Sequence, residues 1–352
     1  MSNKILENIK WFTQNSEASR DENLEIIVSS RIRIARNIDG VPFEIKMKKQ
    51  DSQRLITLVK SALETKLRGR YVDMQQITPL EKESLFECHL VSPAFIKKEM
   101  PAGVFITDKG NISIMINEED HLRIQGLSRG MDFIHISSDV FSVEEIVGVD
   151  LGYAYDETYG FITSCPTNIG TGLRVSVLLH LPGLVFTNEV EKVLKGAIQI
   201  GMAVRGIYGE GSGIKGNLFQ ISNQHTLGLK EEDVIESITK LTHMIVDIEK
   251  KARDVILNKA RNEFEDKIFR SLAVLRSARM VNTEEVLNLL SAVRLGIGAS
   301  IVQGVALSTI NEILLVSRPA NIQLYFGEIL EERDRDIKRA DYIRKRLGGN
   351  GD

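Results

Sequence analysis

Cysteine is scarce in this sequence: Cys88 and Cys165 are the only two in 352 residues, too few for a disulfide framework and in no metal-ligand spacing. Both fit a reducing compartment. No stretch reaches the ~18 consecutive apolar residues of a membrane span. The amino-terminal MSNKILENIKWF is polar and helix-like, without the apolar centre of a signal peptide, so a cytoplasmic location is expected. Nor does charge of one sign dominate. Lys and Arg number 45 against 48 Asp and Glu, a formal net charge of -3, which leaves no global basic field to hold a nucleic-acid backbone. The seven prolines are scattered, and no solenoid repeat or low-complexity tract occurs. The six histidines show no ligand spacing, and no GxxxxGK[ST] is present, which excludes a P-loop.

Apolar residues make up 43% and charged residues 26%, ordinary for a globular chain with a sizeable core, and the length corresponds to about two domains. Between about residues 24 and 228, short runs of period-two or all-apolar character dominate, at 26–34, 103–107, 112–117, 159–164, 174–181, 202–208 and 218–222. They predict the strands of one large sheet. Helices are predicted between them at about 49–67, 79–89, 141–155 and 187–200. Thr78, Pro79 and Glu81 form a helix start, since Thr caps, Pro suits the first helical position and the acid reaches back. Asp108, Lys109, Gly110 and Asn111 signal a hairpin, so neighbouring strands pair antiparallel and the fold class is α+β, a large mainly antiparallel sheet flanked by helices. After Gly228 the apolar period becomes 3.6, over 230–262, 264–279, 283–295, 298–317 and 333–347. The expected division is a sheet unit over 1–254 and a helical unit over 255–352.

Gly211, Gly213 and Gly216 satisfy GxGxxG, but NLFQISN after them reads as a strand rather than a helix, and no acidic residue closes a βαβ unit. A protein-kinase glycine loop fails as well, because VAIK, HRD and DFG equivalents are missing.

Arginine placement is more informative. In VSSRIRIARN, Arg31 and Arg33 lie two apart on a predicted strand and project from one face, so they either flank an anion or pair with acids on a solvated edge strand. In MINEEDHLRIQ, Glu118, Glu119 and Asp120 cluster ahead of Arg123. Such carboxylates raise one another's pKa, bind metal, grip a cation or simply form a solvated turn. In YGFITSCPTNIGTGLRVSVLLHLP, Cys165 ends a strand ahead of Pro166 and a glycine turn, where exposure and a lowered pKa fit, and Arg174 opens a very apolar strand that calls for an anionic partner. In RGIYGEGSG, Arg205 and Glu210 sit among glycines that let backbone approach a ligand closely.

Together SSRIRIARN, INEEDHLR, SCPTNIGTGLRVSV and RGIYGEG resemble, in order and separation, the four signature stretches of the ATP:guanidino phosphotransferases, the family of creatine and arginine kinases. The resemblance covers about residues 20–245. It implies that Ser29, Arg31, Arg33, Arg123, Arg174 and Arg205 hold ATP, the arginine forks matching phosphate oxygens. Glu119 and Glu210 would hold the acceptor guanidinium and take a proton from it, which matters because its pKa of about 13.8 leaves it no free lone pair. Cys165 would act as a thiolate that steers the guanidinium, without a covalent intermediate. Magnesium is implied with the nucleotide, and no metal site of the protein's own.

Two departures narrow the resemblance. The small-molecule kinases of the family carry a helical domain ahead of the first arginine motif, whereas SSRIRIARN begins here at residue 29, and Met115 replaces the tryptophan they place before NEEDH. With an added helical unit, the pattern resembles the bacterial protein-arginine kinases, and the open acceptor face suits a protein substrate. In RDIKRADYIRKR, Arg335, Asp336, Arg339 and Ala340 match that group's RDxxRA phosphoarginine-binding motif. The resemblance thus implies a catalytic domain over 1–254 and a phosphoarginine-binding regulatory domain over 255–352. It also implies a homodimer, protein substrates including a heat-shock repressor, a zinc-binding activator, and a Clp chaperone-protease that receives the marked proteins in a stress response. A kinase for free arginine and a phosphoarginine-binding adaptor are the competing readings.

Overall fold

The computed structural model describes residues 6–13, 23–206 and 215–348. Its strands are β1 (Ile27–Arg36), β2 (Gly69–Asp73), β3 (Gly103–Thr107), β4 (Ile112–Ile116), β5 (Leu122–Arg129), the short hairpin pair β6 (Tyr155–Asp156) and β7 (Gly160–Phe161), β8 (Leu173–His180), β9 (Met202–Gly206) and β10 (Leu218–Asn223). All but the hairpin pair join one eight-stranded sheet in the order β2-β3-β4-β5-β1-β8-β10-β9, antiparallel at every contact. The hairpin expected at 108–111 connects β3 to β4, with Gly110 at φ 71°.

The helices of the first part are α1 (Lys49–Lys66), α2 (Pro79–Glu87), α3 (Phe133–Leu151), α4 (Pro182–Phe186) and α5 (Val190–Gln199). Then come α6 (Glu231–Lys259), α7 (Arg261–Ser277), α8 (Thr283–Gly298), α9 (Leu307–Val316), α10 (Pro319–Phe326) and α11 (Glu332–Arg346). α2 begins as its sequence dictates: Thr78 Oγ1 accepts the Glu81 amide at 3.2 Å while Glu81 accepts the Thr78 amide at 3.0 Å.

Alternation gives the sheet two different faces. Ile32 and Ile34 of β1 join Ile124 and Val175 in a core closed by α1, α3 and α6. A bulge at Ile27–Ser29 turns Val28 to the other side, where Leu127, Met115 and Val104 meet Phe264, Leu290, Ile313 and Ile343 of the later helices. Each such fully buried aliphatic side chain contributes about 1.5–3 kcal/mol. α6 is tied down by buried Glu249, which accepts the amides of Gly183 and Leu184 at 2.9 Å and Arg253 Nε at 2.7 Å.

Three expectations need correction. The helix predicted from 141 starts at Phe133, because Asp132 caps it and Phe133, Ile136, Val140, Val143 and Val147 continue one apolar stripe. The strand expected over 159–164 shrinks to Gly160–Phe161: Asp156 accepts the amides of Thr158 and Tyr159 in a tight turn, and the Ser164 amide goes to Asp120 instead of a ladder. The helix predicted over 298–317 is broken at Ser300 and Gly304, both at positive φ, and resumes at Leu307. β2, β5, β6, α4 and α10 had not been expected, and Tyr208 of the run 202–208 lies outside the described residues.

Candidate active site

Where the sheet's second face is not covered by helices, a cavity of about 920 Å³ opens over β5, β1 and β8. Strand register decides what lines it. Arg33 stands opposite Gln125 on one side and Arg174 on the other, Arg31 opposite Leu127 and Ser176, Ser29 opposite Arg129 and Leu178, and Ala35 opposite Arg123. Paired residues share a face, and successive rows lie two residues, or ~6.8 Å, apart. From the Arg123 row to the Leu178 row the floor therefore runs ~20 Å along the strands. Arg205 of β9 joins the Leu178 row through Gln220.

β1 is a central strand, so the solvated-edge reading of Arg31 and Arg33 does not hold. Arg31 donates to Gln220 Oε1 at 3.0 Å and Arg174 to Ser222 Oγ at 3.1 Å, neutral partners rather than acids. Arg33 Nε is buried without a hydrogen-bond partner. Burial, then Arg123, Arg174 and Arg205, pushes Arg31 down to about 9, while burial and the neighbouring arginines push Arg33 well below its ordinary value. Like charges packed this way favour an anion between them.

At the Arg123 end the 117–121 turn, with Asn117 at φ 63°, presents three carboxylates. Glu118 is buried; its Oε1 accepts from Arg123 at 2.7 Å and its Oε2 accepts the Glu119 amide at 3.0 Å. Desolvation works against its charge, yet Arg123, Ser92 and the Glu119 amide together hold its pKa below the usual carboxylate value. Asp120 accepts Asn37 Nδ2 at 2.7 Å and the Ser164 amide at 2.6 Å, stitching the turn to the Cys165 segment. Glu119 faces the cavity mouth and hydrogen-bonds Cys165; desolvation, then Asp120 and Glu118, pushes its carboxyl up.

Cys165 is half-buried, with Sγ 3.0 Å from Thr167 Oγ1. Its loop is shaped by glycines: at Gly172, φ 60°, a Cβ would come within 2.7 Å of the Ala35 carbonyl, and at Gly170, φ 104°, within 2.6 Å of the Thr226 carbonyl. Arg36 braces the same loop, donating to the Thr171 carbonyl at 2.8 Å while its guanidinium lies 3.4 Å over Phe161. Ser29, Arg31, Arg33, Arg123, Arg174, Arg205, Glu119 and Cys165 thus line one cavity. Glu210 lies outside the described residues. Among the described residues no group of three or more His, Cys, Asp or Glu is placed to hold a metal ion.

A second cavity, of about 620 Å³, is lined by Arg335, Asp336 and Arg339 of α11 together with Asn288 of α8 and Pro319. Arg339 is buried and committed, donating to the Ser317 carbonyl at 2.6 Å, to the Val281 carbonyl at 2.8 Å and to Asp336, whereas Arg335 makes a longer contact with the Leu330 carbonyl at 3.3 Å.

The sequence reading passed over Glu118 and Asp120 as individuals, and over Gln220, whose signal was a polar side chain inside an apolar strand. His121 is a structural residue: Nδ1 accepts the Ile38 amide at 2.9 Å, which leaves Nε2 to donate to the Pro42 carbonyl.

Residues 52–252 match the family model described as "ATP:guanido phosphotransferase, C-terminal catalytic domain", so the site belongs to a phosphotransferase for guanidino groups. Residues 261–351 match "Protein-arginine kinase McsB C-terminal domain". The chain belongs to the ATP:guanido phosphotransferase family and, within it, to the protein-arginine kinases. It is 41% identical over 336 residues to a protein-arginine kinase of Clostridium kluyveri, covering 94% of this chain and 97% of the relative. With that of Bacillus subtilis it shares 38% identity over 348 residues, 96% of each chain. Among solved structures, the duplicated taurocyamine kinase of Schistosoma mansoni with bound transition-state-analog components aligns at a TM-score of 0.58 and 26% identity, over 64% of this chain and 33% of that one. Lombricine kinase aligns at 0.57 and 22% identity over 70% and 75%, a likeness of fold. No helix among the described residues is long and apolar enough to cross a membrane.

Proposed function

We propose that the protein transfers the γ-phosphoryl group of ATP to arginine side chains of proteins, forming a P–N bond. Arg33 carries the reading: a half-buried guanidinium beside Arg31 and opposite Arg174, with a buried, unpartnered Nε, is the environment a polyphosphate completes. Relatives named protein-arginine kinase over nearly the whole chain supply the substrate class.

ATP lies along the strands in this reading, held through Ser29, Arg31, Arg33, Arg123, Arg174 and Arg205. Its γ-phosphate sits at the Arg123 row, because the acceptor groups Glu119 and Cys165 stand at that end, and its adenosine lies towards Leu178. Glu119 orients the acceptor guanidinium and takes its proton as the nitrogen lone pair attacks phosphorus and the bond to the ADP oxygen breaks. Glu210 is the expected second carboxylate. Cys165, hydrogen-bonded to Glu119, steers the guanidinium electrostatically. The donor set fits a magnesium ion carried by the phosphates and water, with Glu118, Glu119 and Asp120 the cavity's carboxylates, and that ion would neutralise charge on the transferring group.

We take residues 1–254 as catalytic and 255–352 as regulatory, with phosphoarginine held in the second cavity by Arg335 and Asp336 and the latter oriented by Arg339. Family resemblance alone supports a cytoplasmic homodimer that responds to stress, phosphorylates a heat-shock repressor, is switched by a zinc-binding activator and hands marked proteins to a Clp chaperone-protease.

The deciding assay offers labelled ATP with magnesium to an arginine-rich unfolded protein and, separately, to free arginine, with products kept at neutral or alkaline pH. Acid-labile label on protein arginine is expected. Label on free arginine alone would replace this reading by a small-substrate kinase.

A further inference from the structure

The basin does not end with the sheet's arginines. Apolar and aromatic side chains also line it, Leu127 in the Arg31 row, Leu178 in the row beyond, and Trp11, Phe86 and His89, together with one cation from outside the sheet, Arg318. Arg318 belongs to no strand. It is the residue just before α10, in the helical part of the chain, and only 8% of it is exposed. Its turn is anchored from both sides. Glu87, at the end of α2, accepts the amides of Ala320 at 3.0 Å and Asn321 at 2.8 Å, and Arg339 donates to the Ser317 carbonyl at 2.6 Å. A backbone turn held by two independent anchors loses little freedom when a ligand arrives. After burial itself, Arg318 is the strongest influence holding His89 down, to about 3, so the imidazole beside it is neutral.

The phosphate-binding arginines sit on β1, β5, β8 and β9, so what reaches Arg318 is the other end of the nucleotide. A purine presents a π-face and ring nitrogens that accept hydrogen bonds, and a guanidinium is planar, cationic and rich in donors. We propose that Arg318 binds the adenosine moiety of ATP, making the nucleotide site a joint product of the sheet and the helical region. This rests on the nucleotide orientation argued above.

The test is equilibrium binding to the full-length chain, followed by calorimetry and by emission of Trp11, the sole tryptophan, which lines the same basin. The probes are ATP with magnesium and inorganic tripolyphosphate, which carries the phosphates without the adenosine. Arg318→Ala is expected to weaken ATP about 3- to 30-fold while leaving tripolyphosphate unchanged, and Arg318→Lys to recover part of the loss. Equal weakening of both probes, or of neither, overturns the proposal. Should Arg318→Ala fail to fold, Arg318→Gln, planar but uncharged, is read the same way. Leu178→Ala tests the orientation separately. ATP binding indifferent to Leu178 and Arg318 alike overturns the orientation and the proposal with it; binding that responds to Leu178 alone overturns only the proposal.

Discussion

Glu118 holds Arg123 at 2.7 Å through one carboxylate oxygen and the amide of Glu119 at 3.0 Å through the other. A single buried side chain thereby sets a cation of the phosphate floor and the backbone of the proposed proton acceptor. Glu118→Gln, which removes the counter-charge, is expected to cost about 1–3 kcal/mol in urea unfolding. Because the carboxyl's pKa is depressed in the fold, its contribution is complete above the ordinary value of about 4.5 and is lost as pH falls through the depressed one. The gap between wild-type and variant urea midpoints should accordingly be flat at neutral pH and close in acid. A gap that widens in acid would contradict this.

Glu119→Gln is expected to lower kcat about 10²- to 10⁴-fold without moving the melting temperature, since the side chain sits at an open cavity mouth. Desolvation and the charges of Asp120 and Glu118 raise its carboxyl, so the acid limb of the wild-type rate profile should lie above the ordinary glutamate value of about 4.5. Initial rates across pH, quenched at neutral pH to spare the product, measure it. An acid limb at or below that value would remove Glu119 from the proton step.

Glu87→Ala strips the amides of Ala320 and Asn321 of their buried acceptor. The expected cost is about 2–4 kcal/mol, seen as earlier unfolding and as faster hydrogen exchange in α10 than in the sheet. Uniform exchange throughout would argue against a local anchor.

Arg335→Ala should weaken binding of free phosphoarginine about 10- to 100-fold by calorimetry, the range of a lost charge-assisted hydrogen bond. Unchanged affinity would place the ligand elsewhere.

Much of the site was legible because its residues obey strand alternation: once β1 is a strand, Arg31 and Arg33 must share a face, and the signature stretches bring Arg123, Arg174 and Cys165 with them. The pairing order was not legible. That β1 lies between β5 and β8, turning two arginines into part of a continuous floor, depends on long-range register that no local pattern encodes. Helix α10 escaped notice because its eight residues are too few to display a period, and Arg318 with it. The 159–164 run misled because side-chain acceptors, Asp156 and Asp120, took amides that an apolar pattern assigns to a ladder.

The floor's arginines come from positions 31, 33, 123, 174 and 205, on β1, β5, β8 and β9. Contacts so distant along the chain form late, after the entropy of closing long loops has been met. Until β8 has paired with β1, β10 with β8 and β9 with β10, the floor lacks Arg174 or Arg205 and the phosphate site is incomplete. A chain still emerging from the ribosome would remain catalytically silent until its sheet is nearly whole, and ATP would stabilise only the finished fold.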